Sequence, residues 1–181
     1  MNPANEKGPA EPIALALAEP FDLAEIQFKP KVVSGNRALA IAYVDARAVQ
    51  DRLDEVLGVD GWQDDYECLP DGSVVCRLRL RIGSEWITKV DVGSPSEQPD
   101  GGDRLKAAFS DALKRVAVKF GIGRYLYRLS GQWVGYDPKR KQLTGKPQLP
   151  PWAMPGKDSM ASLSRAERDR VLKHSLKVNA I

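Results

Sequence analysis

The sequence has few of the residues from which catalytic and metal sites are most often built. It contains one histidine, His174, and two cysteines, Cys68 and Cys76, among 181 residues. The cysteines have neither CxxC spacing nor a nearby histidine, which argues against a zinc site and does not indicate a disulfide framework. A Ser-His-Asp or Cys-His arrangement would need a histidine in the core, and His174 lies near the C-terminal end. We therefore predict no catalytic residue, no metal site and no enzymatic activity.

Two longer patterns are also missing. No Gly-x-x-x-x-Gly-Lys-Ser/Thr motif occurs, which argues against ATP-driven action, and we predict no cofactor. No apolar run reaches the ~18 residues of a membrane span, and no apolar segment follows a basic start, so neither a span nor export is expected. These absences predict a cytoplasmic protein, associated with the nucleoid if the source is a bacterium or a phage.

Net charge is low, but its distribution along the chain is uneven. The formal net charge is +3. Residues 1–100 carry 10 Lys and Arg against 18 Asp and Glu, whereas residues 101–181 carry 17 against 6. A chain divided in this way can bind a polyanion through one half, and it can also pair head to tail with its own copies. Two solvated faces that differ in sign are the alternative interpretation.

The most informative stretch, residues 104–127, reads as an amphipathic helix that ends in glycines. Its apolar residues fall on one arc at about 100° per residue: Leu105, Phe109, Ala112, Leu113, Val116 and Phe120. Gly121 and Gly123 can adopt the left-handed turn of a C-cap. Cations flank the arc or follow the helix, namely Arg104, Lys106, Lys114, Arg115, Lys119 and Arg124. The pattern predicts either a surface for a polyanion or a solvated surface helix.

The other segments predict an α+β fold, in which a three-stranded antiparallel β-meander packs against the long amphipathic helix (a β-β-β-α core) and a short helix lies near the N-terminus. Predicted helices cover 12–19, 45–57 with Asp45 as N-cap, and about 103–120. Extended segments cover 25–33 and 38–44, and the meander strands cover 62–69, 73–82 and 85–92. A flexible loop is expected at 93–102.

The alternating strand 73–82 places arginines on one face. Arg77, Arg79 and Arg81 alternate with apolar residues. This row could track phosphates, or it could pair across the sheet with acidic neighbours such as Glu85, Asp91 or Asp64. Asp71, Glu85, Lys89 and Asp91 also leave open a magnesium-dependent nuclease, although the spacing of Glu85 and Lys89 differs from the usual Glu-x-Lys pattern.

Composition predicts four regions along the chain. Residues 1–19 form an N-terminal segment that is expected to be partly disordered, and residues 20–136 form the main domain. Residues 137–160 contain five prolines and a Lys-Arg-Lys run, which predicts a basic linker. Residues 161–181 are expected to form a short helix and a tail, because Ser164 to Glu167 has the capping-box pattern.

Four sequence blocks, in order, resemble a known family. They are the run from Tyr43 to Gly58, the pair Gly61-Trp62, the triplet Asp91-Val-Gly93 and the run from Ser110 to Gly121. Together they are similar to the single-strand annealing proteins of the Rad52/Rad22 type, in particular to the bacterial DNA-damage-response protein A branch and phage relatives. The run Phe-Gly-Ile-Gly-Arg-Tyr-Leu-Tyr at 120–127 strengthens this resemblance, which covers roughly residues 20–136.

The resemblance implies a ring of subunits that binds single-stranded DNA and anneals complementary strands without ATP in recombinational repair and end protection. By the resemblance, Arg47, Lys114 and Arg115 hold the DNA backbone, and Lys106 is a further basic position. Val118 stands where relatives often carry another arginine, which leaves a second DNA site in doubt. A single-strand-binding protein is a further expected partner. A double-stranded RNA-binding module is the main alternative, because it also combines a three-stranded sheet with helices.

Overall fold

The computed structural model describes residues 10–96 and 100–156 as a mixed α+β protein. The predicted α+β class is therefore confirmed, and the described residues contain more strands than the meander. The elements in chain order are α1 (Ala10–Ala18), β1 (Ile26–Ser34), β2 (Arg37–Val44), α2 (Ala46–Leu57), β3 (Trp62–Cys68), β4 (Val74–Ile82), β5 (Glu85–Gly93), α3 (Gly101–Phe120), a 3-10 helix (Arg124–Arg128), β6 (Gln132–Asp137), β7 (Gln142–Leu143) and a second 3-10 helix (Pro151–Ala153).

The chain divides into two compact units, and each is assembled from two separated stretches. The first unit comprises residues 1–18 and 45–122, and the second comprises residues 19–44 and 123–181. Within the described residues, no helix is long and apolar enough to cross a membrane. The four regions predicted from composition are a different kind of division and remain a prediction. The predicted C-terminal helix and His174 lie outside the described residues.

The first unit contains the antiparallel sheet β3-β4-β5, with α3 against β4 and β5. The alternation predicted for β4 is confirmed, because Val74, Cys76, Leu78 and Leu80 are fully buried. Gly93 at the end of β5 permits close approach of α3. A Cβ atom built there would lie 2.2 Å from the carbonyl oxygen of Ala108 and 2.3 Å from the amide nitrogen of Ala112. A glycine in a strand thus fixes the contact between strand and helix.

The C-terminal end of α3 follows the predicted capping chemistry, and its N-cap was not predicted. Asp100 is the N-cap, and its side chain accepts a hydrogen bond of 3.0 Å from the backbone N–H of Asp103. Gly121 takes the left-handed conformation with φ 109° and ends the helix, as predicted. The predicted apolar arc needs one correction, because Leu105 is 41% exposed. The small residues Ala108 and Ala117 are buried in addition, and at Ala108 the helix closely approaches Gly93 of β5.

The second unit contains the antiparallel sheet β1-β2-β6-β7. The extended segments predicted at 25–33 and 38–44 form β1 and β2, and β6 and β7 were not predicted. Pro30 lies in β1, which is an edge strand where a missing backbone N–H is tolerated. The Tyr125 hydroxyl, which is buried, accepts a 3.0 Å hydrogen bond from the backbone N–H of Phe21 and joins the two stretches of this unit.

The described part of the predicted linker is packed into the second unit. β7 pairs with β6, and Trp152 and Ala153 are buried. The Gln132 side-chain amide forms two hydrogen bonds with the backbone of Gln148, in the way that a neighbouring strand would. It donates a 2.6 Å hydrogen bond to the Gln148 carbonyl oxygen and accepts a 3.0 Å hydrogen bond from the Gln148 N–H. A high proline content therefore indicates irregular backbone in this segment, and it does not require that the segment be exposed to solvent.

Candidate nucleic-acid interface

The cations predicted on the long helix lie on α3, and they have different surroundings. At the N-terminal end, Arg104 and Lys106 are exposed. The Lys106 ammonium lies 3.3 Å from the Asp103 carboxylate, one turn away on the same helix, and the Lys106 side chain is 81% exposed. Within residues 10–96 and 100–156, Arg104 has no ion pair. Exposed pairs of this kind contribute little to stability, so both cations remain accessible to an anion.

At the C-terminal end of α3, two of the predicted cations share one carboxylate. The Nε atom of Arg115 lies 3.4 Å from Oδ1 of Asp91, and the Nζ atom of Lys119 lies 3.2 Å from Oδ2. The side chains of Arg115 and Lys119 are 48% and 46% exposed, whereas Asp91 is 21% exposed. β5 therefore supplies a partly covered anion to two cations that lie one turn apart on the facing helix.

Backbone groups complete this cluster. Oδ1 of Asp91 accepts a hydrogen bond of 2.8 Å from the N–H of Val92. The Lys119 ammonium also donates to the carbonyl oxygen of Val90, so Lys119 is bound to β5 at two points. Lys89 donates a 2.6 Å hydrogen bond to the Lys119 carbonyl oxygen, and its ammonium lies 4.5 Å from the centre of the Phe120 ring. A cation at the C-terminal end of a helix also interacts favourably with the helix dipole.

The charge state of Asp91 follows from these neighbours. Partial burial alone would raise the pKa of its carboxyl group, because a low-dielectric surrounding disfavours the charged form. The hydrogen bond from Val92 and the positive charges of Lys119 and Arg115 outweigh burial and lower the pKa below the ordinary value. Asp91 is therefore ionised at neutral pH, and the two cations have a permanent anionic partner.

The remaining predicted site residues lie elsewhere. Arg47 is exposed in the first turn of α2, and within the described residues it forms no ion pair with Asp51, which lies one turn further along the helix. Lys114 is half-buried on α3 and has interactions of its own. Arg124 is exposed in the first 3-10 helix, which belongs to the second unit. Of the seven predicted positions, the structure thus brings Arg115 and Lys119 together on one carboxylate.

The arginine row on β4 has carboxylate partners, as one of its two interpretations held. Arg77 contacts Glu67 at 2.6 Å and Asp65 at 3.8 Å, and Arg79 contacts Asp65 at 3.7 Å. The Arg81 guanidinium lies 2.8 Å from the carboxylate of Asp60. These partners come from β3 and the turn before it, rather than from the acidic residues that the sequence indicated. Acidic and basic rows therefore face each other across the sheet.

The carboxylates that left a nuclease open are not clustered. Glu85 opens β5, and Asp91 lies six positions further along the same strand, or roughly 20 Å away at the usual rise of a strand. Asp91 is bound to Arg115 and Lys119 instead. In the part of the chain that the structure describes, no three potential ligands are grouped to hold a metal ion.

The sequence did not lead us to predict that Asp91 and Lys89 belong to the cluster at the C-terminal end of α3. Lys89 was noted as a candidate for a metal-dependent site, and Asp91 was noted for such a site, as a possible partner of the β4 arginines and in the family resemblance. Their spacing carries the signal, because residues 89, 91 and 93 share one face of a strand and Gly93 marks the face that contacts a helix. A charged residue two positions before such a glycine lies against that helix, where helix cations can reach it.

Comparison with known proteins yields one family and two relatives. Residues 10–143 match the model of the Rad52/22 family of double-strand break repair proteins. The chain is 43% identical over 142 residues to the single-stranded DNA-binding protein DdrA of Deinococcus deserti, which covers 77% of this chain and 68% of that protein. It is 44% identical to the single-stranded DNA-binding protein DdrA of Deinococcus radiodurans, with 77% and 66% covered. About two thirds of each relative is therefore matched.

Proposed function

The chain belongs to the Rad52/22 family of double-strand break repair proteins, and we propose that it binds single-stranded DNA without sequence preference and anneals complementary strands without ATP. The observation that carries this proposal is the half-exposed guanidinium of Arg115. Its ionic contact with Asp91 is made through Nε, and its two terminal nitrogens form no hydrogen bond with the described residues. The similarity to proteins named for single-stranded DNA binding, over 77% of the chain, supports the same function.

Annealing requires that two negatively charged strands come close together. Arginine and lysine side chains neutralise phosphates and release counterions, which reduces repulsion between the strands. A surface that holds the backbone leaves the base edges available for pairing and is indifferent to sequence. Base pairing is itself favourable, so no nucleotide hydrolysis is needed.

We place the DNA-binding core in the β-β-β-α part of the first unit, formed by β3, β4, β5 and α3. Arg115 is its main phosphate ligand, and Arg104 and Lys106 extend the basic surface along the helix. Arg47, Lys114 and Arg124 are further contacts that the family resemblance or the charge pattern indicates. The arginines on the outer face of β4, Arg77, Arg79 and Arg81, contribute less to DNA binding, because each of them already faces a carboxylate.

A ring of subunits would make many weak sites into one continuous track. The excess of acidic residues in 1–100 and of basic residues in 101–181 supports head-to-tail contacts between copies. We expect sedimentation velocity at low salt to show one large species at micromolar concentration. A monomer alone under those conditions would contradict the ring and would leave single-stranded DNA binding untouched.

Binding is tested by fluorescence anisotropy with a labelled single strand of mixed sequence, over a series of salt concentrations. The logarithm of the binding constant should fall against the logarithm of salt concentration with a slope of about −0.7 for each phosphate engaged. Duplex DNA and duplex RNA serve as competitors, and both should compete poorly. Binding that does not respond to salt, or stronger binding of duplex RNA, would refute the proposal.

Annealing is tested separately, by the rate at which a labelled strand pairs with its complement. The protein should accelerate pairing without ATP and without magnesium, and the strands should remain intact when magnesium is added. The same assay on strands coated with a single-strand-binding protein tests that protein as a partner. Acceleration that persists on coated strands would support the partnership.

A further inference from the structure

We infer that Asp91 positions Arg115 for phosphate binding, by holding the guanidinium through Nε and leaving its two terminal nitrogens to a DNA phosphate. This inference rests on the proposed function and assigns a role to a residue that binds no DNA itself. It also moves Lys119 out of the DNA-contacting set, because Lys119 is engaged with Asp91 and with the Val90 carbonyl oxygen.

The first step is the geometry of the guanidinium. An arginine side chain carries five N–H donors in a fixed plane, one on Nε and four on the terminal nitrogens. The 3.4 Å contact from Nε to Oδ1 of Asp91 engages one edge of that plane. The terminal nitrogens form the pair that can bind a phosphate with two parallel hydrogen bonds. A long side chain fixed at Nε loses less freedom when the phosphate arrives, so binding is favoured.

The second step is that Asp91 is itself held in place. Its carboxylate accepts from the backbone N–H of Val92 at 2.8 Å and lies 3.2 Å from the Lys119 ammonium. Lys119 is fixed in turn by the Val90 carbonyl oxygen. The close approach of Gly93 to α3 sets the register of strand and helix, so the carboxylate has one position relative to Arg115.

The third step separates positioning from simple charge. Removing Asp91 makes the site more positive by one unit, so charge alone predicts tighter binding of a polyanion. Positioning predicts the opposite, because Arg115 loses its support and the ordering of its side chain must then accompany DNA binding. The two hypotheses also differ in salt dependence, because the loss of one phosphate contact makes the salt slope shallower, whereas an added positive charge does not.

The experiment compares Asp91→Asn with the natural protein in the salt series. We expect the Asn variant to bind single-stranded DNA three- to tenfold more weakly, and its salt slope to become shallower by about 0.7, the value of one lost phosphate contact. Asp60→Asn is the matched control, because it removes the carboxylate partner of Arg81 on the outer face of the sheet and adds the same charge. The control should bind as tightly as the natural protein or slightly more tightly.

A double-mutant cycle with Arg115→Ala shows whether Asp91 acts through Arg115. In the Arg115→Ala background, Asp91→Asn should weaken binding no further. Equal weakening in both backgrounds would show that Asp91 acts by another route and would overturn the inference. Unchanged or tighter binding by Asp91→Asn in the natural background would overturn it as well.

Two other outcomes must be distinguished from a failure of this inference, namely that the natural protein does not bind DNA and that Asp91→Asn does not fold. If the natural protein does not bind single-stranded DNA, the proposed function fails, and that result is distinct from the outcomes of the cycle. If Asp91→Asn does not fold, Asp91→Glu keeps an anion for Lys119 and moves the carboxylate by one methylene. We expect weaker binding by the Glu variant than by the natural protein, and affinity equal to or above the natural value would overturn the inference.

Discussion

The outer face of β4 and the C-terminal end of α3 both carry cations and differ in how many carboxylates balance those cations. On β4, Arg77, Arg79 and Arg81 face three carboxylates, so each positive charge has a negative neighbour. On α3, Arg115 and Lys119 share the single carboxylate of Asp91. We therefore expect the ratio of cations to fixed anions, rather than the number of cations, to decide which of the two surfaces binds a phosphate.

The largest expected effect comes from separating the α3 cations from their strand. Gly93→Ala should place a methyl group 2.2 Å from the Ala108 carbonyl oxygen, where backbone must move to admit it. We expect the free energy of unfolding to fall by about 3 kcal/mol and DNA affinity to fall with it. Chemical denaturation and anisotropy measure the two effects.

Gly101→Ala is the control for this substitution. Its added methyl would meet only the end of the flexible Arg104 side chain, at 3.9 Å. The free energy of unfolding should change by less than about 0.5 kcal/mol. Equal stability of Gly93→Ala and the natural protein would show that strand and helix do not need this contact.

The second prediction compares the cations of α3 with the arginines of β4 directly. Lys114→Ala combined with Arg115→Ala should reduce the rate of strand annealing by at least tenfold, while Arg77→Ala combined with Arg79→Ala should leave the rate within about twofold. Each expected loss reflects phosphate contacts removed, and one tenfold step corresponds to about 1.4 kcal/mol. Size-exclusion chromatography shows whether assembly is intact. Loss of assembly in the α3 variant would mean that these residues are structural, and full annealing would refute the site.

A third variant tests a cation in the same unit, Arg47, which forms no ion pair within residues 10–96 and 100–156. Arg47→Ala should weaken single-stranded DNA binding several-fold and make the salt slope shallower by about 0.7. Arg52 is the matched position on the same helix, because its guanidinium donates to the Ala16 carbonyl oxygen at 3.4 Å and its side chain is 10% exposed. Arg52→Ala should lower stability without changing the salt slope. If Arg52→Ala changed the salt slope and Arg47→Ala did not, then Arg52 rather than Arg47 would contact the DNA.

The smallest expected effect is on the stability of the protein at acidic pH. The hydrogen bond from Arg81 lowers the pKa of Asp60, and the hydrogen bonds and charges around Asp91 lower its pKa despite burial. A carboxyl group with a lowered folded-state pKa stabilises the protein above its ordinary pKa, and that contribution is lost as pH falls through the folded-state value. Stability should therefore decline as pH falls below about 4.

Asp91→Asn should remove more of this acid dependence than Asp60→Asn, because the Asp60 side chain is 75% exposed and solvent screens its ion pair. Urea denaturation at pH values from about 5 to 3 measures the difference. Identical acid dependence in the two variants would show that the α3 cluster is no better protected from solvent than the outer face.

Local patterns predicted the elements whose side chains repeat regularly. Strand β4 alternates over its whole length, and α3 ends at Gly121, so both were located within a few residues. The sheet that joins β2 to β6 could not be predicted in the same way. Leu39 pairs with Trp133 across more than ninety residues, and β6 itself contains Gly135, which weakens its strand pattern.

The candidate site was predictable as a list of cations, and its organisation was not. Arg115 and Lys119 stand out from the helix pattern, but their different roles depend on a carboxylate from another element. Asp91 precedes them by more than twenty residues. A sequence that is read by counting charges assigns Asp91 to the acidic half of the chain. Its position on the helix-facing side of β5 instead places it against Arg115 and Lys119.

The amide of Gln132 has a consequence for how the chain can change in length. Because one side chain holds Gln148 by both its N–H and its carbonyl oxygen, the segment after β7 is fixed at a point and not by a continuous ladder. Residues 145–147 only have to bridge the distance between two anchors. Doubling such a loop costs about 0.6 kcal/mol in closure entropy. Insertions should therefore accumulate there during evolution while the buried Trp152 beyond them keeps its place.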